Sequence, residues 1–276
     1  MDWLLSVLYG FISGFSEFIP ISSLAHQNIV RQLFDMEYQP LQQLLIHGAA
    51  LLAVTMSCRG QIGRMRRERR LLRIPKKRRK RQPDMRYIQD YRLLKIAALL
   101  VLLPYLGYSY VSGLQNKLQL VSVFMLFNGF ILFIPQHLPS GNKDSRALAP
   151  IDGFVVGLAG ALSILPGISL VGATSSAAAA RGSERSVALN FALLLCIPVL
   201  IIFLALDVYA VALSKLAGIS AFVVVRCLLS AAAAYIGSYL GIALMRFLSV
   251  KTGFSGFAYY SWGAALFVFV LYLTIY

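Results

Sequence analysis

The sequence predicts an all-α integral membrane protein with about six transmembrane helices and two re-entrant helix hairpins arranged as inverted repeats. Three observations lead to this fold class. Of the 276 residues, 58% are hydrophobic and only 13% are charged, whereas about 25% of residues in soluble domains are charged. Several apolar windows are long enough to cross a hydrocarbon core, which takes about 20 helical residues. Two further apolar segments are interrupted by turns that contain proline.

Six segments have the length and composition of full spans. They lie near residues 39–57, 93–111, 117–135, 186–206, 219–248 and 255–275. The N-terminal segment 3–19 lacks the basic region of a secretory signal and carries Glu17 and Pro20 where a cleavage site would follow. We therefore interpret it as part of the folded protein and expect residues 1–276 to form a single polytopic membrane domain.

Basic residues predict the orientation of this domain. Of the 26 lysines and arginines, 15 fall between Arg59 and Arg92. Because this run lies between two apolar spans, the positive-inside rule explains it better than nucleic-acid binding does, and we expect loop 59–92 to be cytoplasmic, with membrane lipids as further contacts. Alternating spans then place segments 136–149, 181–185 and 246–251 on the same side as this loop and leave only Arg31, Lys117 and Lys215 in outer loops. The sequence thus predicts a multi-pass protein of the cell inner membrane with both termini outside.

Residues 3–34 and 151–181 fit poorly as simple spans, because each is an apolar helix interrupted by a turn with proline and small residues. A shift of 146 positions superimposes three pairs: Gly14 on Gly160, Pro20 on Pro166, and Ser23 on Ser169. This weak internal repeat predicts two inverted halves, about 1–135 and 151–276. Where the turns meet, new helix N-termini would offer free N–H groups to an anion. Two kinked ordinary helices are the alternative interpretation.

The first turn concentrates ionisable groups. Glu17 is the acidic residue with apolar sequence on both sides, and its burial in a bilayer would be costly without a function. The spacing of Glu17, Ser23 and His26 predicts that they converge across a tight turn. An acid, a hydroxyl and an imidazole suit nucleophilic attack on phosphorus, with Ser22 or Ser23 as nucleophile and His26 as base. They equally suit phosphate binding without cleavage, or a structural histidine and a helix-capping serine.

The second turn carries hydroxyls but no charge. Ser169 and Thr174, with the free amides after Pro166, are neutral donors suited to phosphate oxygens, or alternatively cap the second half-helix. Arg226 is the basic residue set well inside a predicted span. An intramembrane arginine usually faces a partner or a cavity, and near a helix end it extends to the interface instead.

These two stretches resemble the signature regions of the bacterial undecaprenyl pyrophosphate phosphatases, the BacA/UppP family of bacitracin-resistance proteins. The first matches the family pattern at Gly10, Gly14, Glu17, Phe18, Pro20, Ile21, Ser22, Ser23 and His26. The second matches it at Pro166, Gly167, Ser169, Gly172 and Thr174. The resemblance covers nearly the whole chain.

The resemblance implies hydrolysis of an undecaprenyl (polyprenyl) diphosphate to the monophosphate carrier used in peptidoglycan synthesis. Four residues are then the catalytic candidates: Glu17, Ser22, Ser23 and His26. A second group is expected to bind substrate phosphate: Gly167, Ser169, Gly172, Thr174 and Arg226. A divalent cation, Mg²⁺ or Ca²⁺, is expected to assist, with Glu17 as its candidate ligand.

The chain also departs from the family pattern. Residues of another type stand at five motif positions: Ser13 for Glu, Gly160 for Gln, Leu170 for Arg, Val171 for Ser, and Ser261 for the Arg of a Tyr-Arg pair. Two cations that would hold a diphosphate are therefore absent, and Arg226 is the candidate replacement. The alternative function is a non-hydrolytic protein that binds or transports a polyprenyl phosphate.

Small residues predict close helix packing in two stretches, 177–180 and 231–234, the second followed by Gly237 and Gly241 at four-residue spacing. Such surfaces pack within one chain or between two copies in a homodimer. The sequence leaves both open.

Overall fold

A computed structural model describes residues 2–108, 111, 113–139, 141–214, 220–251 and 254–275. In these residues the chain forms ten α-helices joined by turns and short 3₁₀ segments. In chain order they are α1 Asp2–Glu17, α2 Ser23–Leu33, α3 Pro40–Arg73, α4 Met85–Leu102, α5 Leu118–Phe133, α6 Pro150–Ala161, α7 Leu170–Ala180, α8 Arg185–Leu213, α9 Ala221–Lys251 and α10 Ser255–Ile275. The prediction of an all-α integral membrane protein is confirmed.

Five helical segments of the described chain are long and apolar enough to cross a membrane: Pro40–Arg73, Leu118–His137, Arg185–Leu213, Ala221–Ser249 and Gly256–Thr274. The sixth predicted span, 93–111, corresponds to α4, whose first half carries several charged residues. A 3₁₀ segment with Pro104 in its first turn follows α4 directly, and proline cannot continue the α-helical hydrogen bonds. Residues 109 and 110 lie outside the described residues, so the number of about six spans stays a prediction.

Four helices are short and occur as two pairs, α1 with α2 and α6 with α7. They contain 16, 11, 12 and 11 residues, and at about 1.5 Å per residue none reaches the roughly 30 Å of a hydrocarbon core. Each pair is broken around a proline, Pro20 in the first and Pro166 in the second. The predicted helix breaks are therefore present. That each pair re-enters the side from which it came stays a prediction.

Glycines bring α1 against α9 along most of its length. A Cβ atom added to Gly10 would lie 2.1 Å from the Ser230 carbonyl oxygen, and one added to Gly14 would lie 2.0 Å from the Ala234 carbonyl oxygen. Gly237 of α9 lies equally close to α1, since a Cβ atom added to it would lie 2.4 Å from the Phe11 carbonyl oxygen. The close packing predicted from the small-residue stretch thus occurs within the chain.

The second pair of short helices repeats this arrangement with a different partner. On α6, Gly153 and Gly157 lie against the α4 backbone, and Gly160 lies against the Val101 side chain. In both cases residue numbers increase together along the two helices, so α6 runs parallel to α4 as α1 runs parallel to α9. Each of these two short helices thus packs on a helix from the opposite half of the chain, and the inverted repeat itself stays a prediction.

Loops that were predicted to share one face of the membrane lie together. Four contacts connect them: Arg86 to Asp144 at 3.6 Å, Arg146 to Asp84 at 3.4 Å, the Lys143 amide to the Gly182 carbonyl at 3.0 Å, and Arg246 to the Ser57 carbonyl at 2.9 Å. Both ion pairs are partly exposed and contribute little stability each. Together the four contacts show that the four basic segments lie at the same end of the helices.

The α1–α9 contact predicts different outcomes for two glycine substitutions. In Gly14→Ala the added methyl group meets backbone atoms that cannot rotate away, so we expect a loss of about 1–3 kcal/mol or more of unfolding free energy. Gly263, inside α10, has open space around its Cα, and Gly263→Ala should be neutral or stabilise by up to about 1 kcal/mol. The two variants are compared by their thermal unfolding midpoints, measured in the same detergent. Equal midpoints would contradict this packing.

Candidate functional site

The two helix breaks lie directly against each other. The Gly167 amide donates a hydrogen bond to Ser22 Oγ at 3.1 Å, and Ser169 Oγ donates to the Ile19 carbonyl at 3.2 Å. Ser22 and Gly167 both have positive φ angles, 64° and 129°, so each break contains one residue in a conformation that sterics disfavour for most side chains. The breaks therefore form one shared structure, as their predicted meeting requires.

Asn128 of α5 connects the two breaks. Its Nδ2 donates to the Pro20 carbonyl at 2.9 Å and to Ser261 Oγ at 3.0 Å, and its Oδ1 accepts from the Ser169 amide at 2.9 Å. The residue is completely buried. Sequence reasoning missed it, although an asparagine in the middle of an apolar span was a usable signal.

Glu17 and Ser23 lie side by side at the first break. Glu17 is the last residue of α1 and is half-buried. Its carboxyl group lies beside the Ser23 hydroxyl and within electrostatic reach of His47. Ser23, the first residue of α2, donates from Oγ to the Ser13 carbonyl at 3.2 Å. The structure thus brings together the predicted acid and the predicted nucleophile.

His26 points away from this pair. Its Nδ1 lies 2.8 Å from the Ser22 carbonyl, which can only accept, so Nδ1 carries the proton. Its Nε2 then accepts from the Tyr260 hydroxyl at 2.7 Å. The predicted convergence of Glu17, Ser23 and His26 is therefore incomplete, because both ring nitrogens are bonded elsewhere.

A buried hydrogen-bonded chain leads from Ser23 into the protein. Gln27 Nε2 donates to Ser23 Oγ at 2.9 Å, and Gln43 Nε2 donates to Gln27 Oε1 at 2.9 Å. Gln43 Nε2 also lies 3.1 Å from His47 Nε2, and His47 Nδ1 lies 2.6 Å from Asp207 Oδ2. All five side chains are at least nine-tenths buried. Such a fully paired network holds its members, including Ser23, in fixed orientations.

Two cavities flank α2. The polar cavity, of about 380 Å³, is lined by polar groups that include Gln27, Arg31, Gln43, His47, Tyr108 and Asp207. The apolar cavity, of about 720 Å³, is lined mainly by hydrocarbon and aromatic side chains, including Ile12, Ile19, Leu244 and Phe257, with His26 and Tyr260 in its wall. Glu17 and Ser23 do not occur among the described residues that line either cavity. They adjoin the polar cavity, because Gln27 in its wall bonds Ser23 and His47 in its wall lies within electrostatic reach of Glu17. The imidazole of His26 lies in the wall of the apolar cavity.

The second break is built into the protein. Ser169 caps α7, since its Oγ accepts from the Gly172 amide at 3.1 Å, and Thr174 Oγ1 donates to the Leu170 carbonyl at 2.6 Å. A Cβ atom on Gly167 would lie 2.7 Å from the Met125 amide nitrogen. Gly172 is similarly close to its neighbours. Among the described residues that line the two cavities, none of these four occurs, and their binding of phosphate stays a prediction.

Arg226 lies far from both breaks. Its Nε donates to Ser6 Oγ at 3.1 Å, and its guanidinium carbon lies 5.9 Å from the centre of the Phe222 ring. Ser6 precedes Glu17 by eleven residues on α1, which is about 16 Å along a helix. The structure therefore does not bring Arg226 to the candidate site.

Sequence reasoning missed the His47–Asp207 pair. The two residues are 160 positions apart in the chain, and no local spacing relates them. An aspartate at the end of an apolar span was the available signal.

The chain is similar over most of its length to one family of known proteins. The family model described as "Bacitracin resistance protein BacA" matches residues 6–267. An "Undecaprenyl-diphosphatase" of Methanobrevibacter smithii is 28% identical over 280 residues, covering 99% of each chain. An "Undecaprenyl-diphosphatase 1" of Shouchella clausii is 28% identical and covers 98% of this chain and 96% of its own. An "Undecaprenyl-diphosphatase" of Desulfosudis oleivorans is 30% identical over 73% of this chain and 75% of its own.

The connection between the breaks predicts a large effect of Asn128→Ala. The substitution leaves the Pro20 carbonyl and the Ser169 amide buried without their Asn128 partner. Each such group costs about 1–3 kcal/mol, so the unfolding free energy should fall by several kcal/mol. Thermal unfolding in detergent measures this.

Ser176→Ala is the matched control for Asn128→Ala. Ser176 is equally buried, but its hydroxyl has no hydrogen-bond partner among the described residues. Removing it should leave the unfolding midpoint unchanged or raise it. If Asn128→Ala is no more harmful than Ser176→Ala, Asn128 does not hold the breaks together.

Proposed function

Because the chain belongs to the bacitracin resistance protein BacA family, we propose that it is a membrane-embedded undecaprenyl-diphosphatase, the name carried by its relatives. The observation that carries the proposal is the position of the Glu17 carboxyl group beside the Ser23 hydroxyl at a helix break, with Gln27 connecting Ser23 to the wall of the polar cavity. A carboxyl group next to a hydroxyl is the arrangement expected where a nucleophile must lose its proton. The expected product is the lipid monophosphate.

In the proposed reaction, Ser23 Oγ attacks the terminal phosphorus of the lipid diphosphate. The bond from phosphorus to the bridging oxygen breaks, and that oxygen leaves with the lipid monophosphate. The Ser23 hydroxyl, which donates to the Ser13 carbonyl before the reaction, turns its proton to the Glu17 carboxylate, and water then hydrolyses the phosphoserine. We assign the proton to Glu17 and not to His26, since Nε2 of His26 already accepts from Tyr260.

A divalent cation fits this site only with help from the substrate. Among the described residues no group of three or more histidine, cysteine or acidic side chains is placed to hold a metal ion. Mg²⁺ is commonly bound by one or two carboxylates together with substrate phosphates and water, so Glu17 alone is the candidate protein ligand. The ion would neutralise charge on the phosphate oxygens.

The surroundings of the site support a lipid diphosphate as substrate. The polar cavity offers hydrogen-bonding side chains and a cation to phosphate groups. The apolar cavity offers hydrocarbon walls of the kind that an isoprenoid chain contacts. We further propose that the grouped basic loops face the cytoplasm and both termini face outside, which places the polar cavity near the outer face.

Phosphate release from undecaprenyl diphosphate by the purified protein, with Mg²⁺ or Ca²⁺ present, tests the proposed function. Ser23→Ala and Glu17→Gln should lower kcat by about 10²-fold or more, because each removes a group from the chemical step. His26→Ala should reduce activity less. Ser176→Ala, which removes a buried hydroxyl away from the cavities, should retain wild-type rates.

Two outcomes would contradict this assignment. Full activity in Ser23→Ala would exclude Ser23 as nucleophile, and Ser22→Ala then tests the neighbouring hydroxyl. A wild-type protein that binds the lipid diphosphate but releases no phosphate would exclude hydrolysis and leave a binding protein on this fold.

A further inference from the structure

Two charged side chains of opposite sign line the polar cavity without forming an ion pair with each other. Of the described residues that line it, Arg31 and Asp207 are charged. They do not pair with each other within ion-pair distance, since the partner of Asp207 among the described residues is His47 at 2.6 Å. The Arg31 charge is therefore directed at the cavity without direct neutralisation.

Arg31 lies on the same face of α2 as Gln27, one turn further along. Both side chains line the polar cavity. The Cα atoms of Ser23 and Arg31 are separated by eight residues, about 12 Å of helix. Gln27, which bonds Ser23, lies between the two positions on this face.

The Arg31 Nε group lacks an acceptor. It is buried and makes no hydrogen bond to any residue that the structure describes, while its guanidinium carbon lies 5.4 Å from the centre of the Tyr38 ring. A buried charged donor without a partner is costly. A turn of the side chain from Tyr38 into the cavity would let phosphate oxygens satisfy it, since the planar guanidinium matches them with two parallel hydrogen bonds.

A neutral donor faces the same cavity. The Tyr108 hydroxyl accepts from Gln115 Nε2 at 2.9 Å, and a phenol that accepts one hydrogen bond still has its own proton to donate. Together with Arg31 it forms an anion-binding wall that sequence reasoning did not identify.

We propose that Arg31 supplies the cation that the family pattern places at position 170, and that the polar cavity binds the diphosphate group of the substrate. The inference rests on the proposed function and adds a substrate-binding residue from the first half of the chain. Leu170 cannot serve this role, and Arg226 is bonded at the far end of α1.

The test compares Arg31→Gln and Arg31→Lys with Lys117→Gln, which removes an exposed charge next to α5 without lining the cavity. KM is measured with undecaprenyl diphosphate, and binding of inorganic diphosphate is measured by calorimetry in detergent. Arg31→Gln should raise KM and weaken diphosphate binding by about tenfold or more, because a charge-assisted bidentate contact is lost. Arg31→Lys should lose less. Lys117→Gln should stay within about twofold of wild type, because exposed charges act mainly through screened long-range attraction.

A second measurement needs no variant. An arginine-specific dicarbonyl reagent applied to the wild-type protein should modify Arg31 more slowly when inorganic diphosphate is present, with Arg226 unaffected, as read by peptide mass spectrometry. Protection of Arg31 in the wild-type protein tests whether diphosphate binds there even if Arg31→Gln does not fold.

The outcomes separate the two proposals. Phosphate release with unchanged KM in Arg31→Gln and no protection of Arg31 would overturn this inference and leave the proposed function intact. Absence of phosphate release, together with Arg31-dependent binding of diphosphate, would overturn the proposed function and support the anion site.

Discussion

The structure depends on one constraint: backbone that leaves the helix inside a membrane must find its hydrogen-bond partners within the protein, because lipid offers none. The two helix breaks meet this constraint through each other and through Asn128, which bonds a carbonyl of the first break and an amide of the second. They are therefore stable together and unstable apart. The close packing of α1 on α9 and of α6 on α4 follows, since each short helix must be brought to the centre of the domain. The position of Ser23 beside Glu17 is a consequence of the same arrangement.

Local features of this fold could be predicted from the sequence, and non-local ones could not. Pro20 and Pro166 predicted the breaks because proline acts on the backbone at its own position. The His47–Asp207 pair was invisible, because a single sequence holds no signal that joins residues 160 positions apart. His26 shows an intermediate case. Its spacing correctly placed it near Ser23, but spacing does not determine which way a ring turns, and Tyr260 from the last helix holds it.

Helix α2 presents one face to the polar cavity and another face to the apolar cavity. Gln27 and Arg31 are four residues apart and therefore share the face that lines the polar cavity, whereas His26 is rotated by about 100° toward the apolar cavity. A lipid diphosphate has the same division into a charged head and a hydrocarbon chain. One short helix is thus able to present both surfaces, provided that its N-terminus is fixed. The bonds of Ser22 and Ser23 to the second break and to α1 fix it.

The second break carries no charged side chain at positions 160 and 170, and the residues there also affect how the break packs. Leu170 and Gly160 stand where the family pattern has an arginine and a glutamine, and a Cβ atom on Gly160 would lie 3.4 Å from the Leu170 side chain. The two positions are therefore neighbours in this chain, and both carry apolar residues. Leu170 is half-buried and packs against the hydrophobic core, so Leu170→Arg would replace apolar contacts with a charge at a cost in stability. The second half of the chain supports the site through Ser169 and its helix cap. The charge that a phosphate requires must then come from the first half, where Arg31 lines the polar cavity.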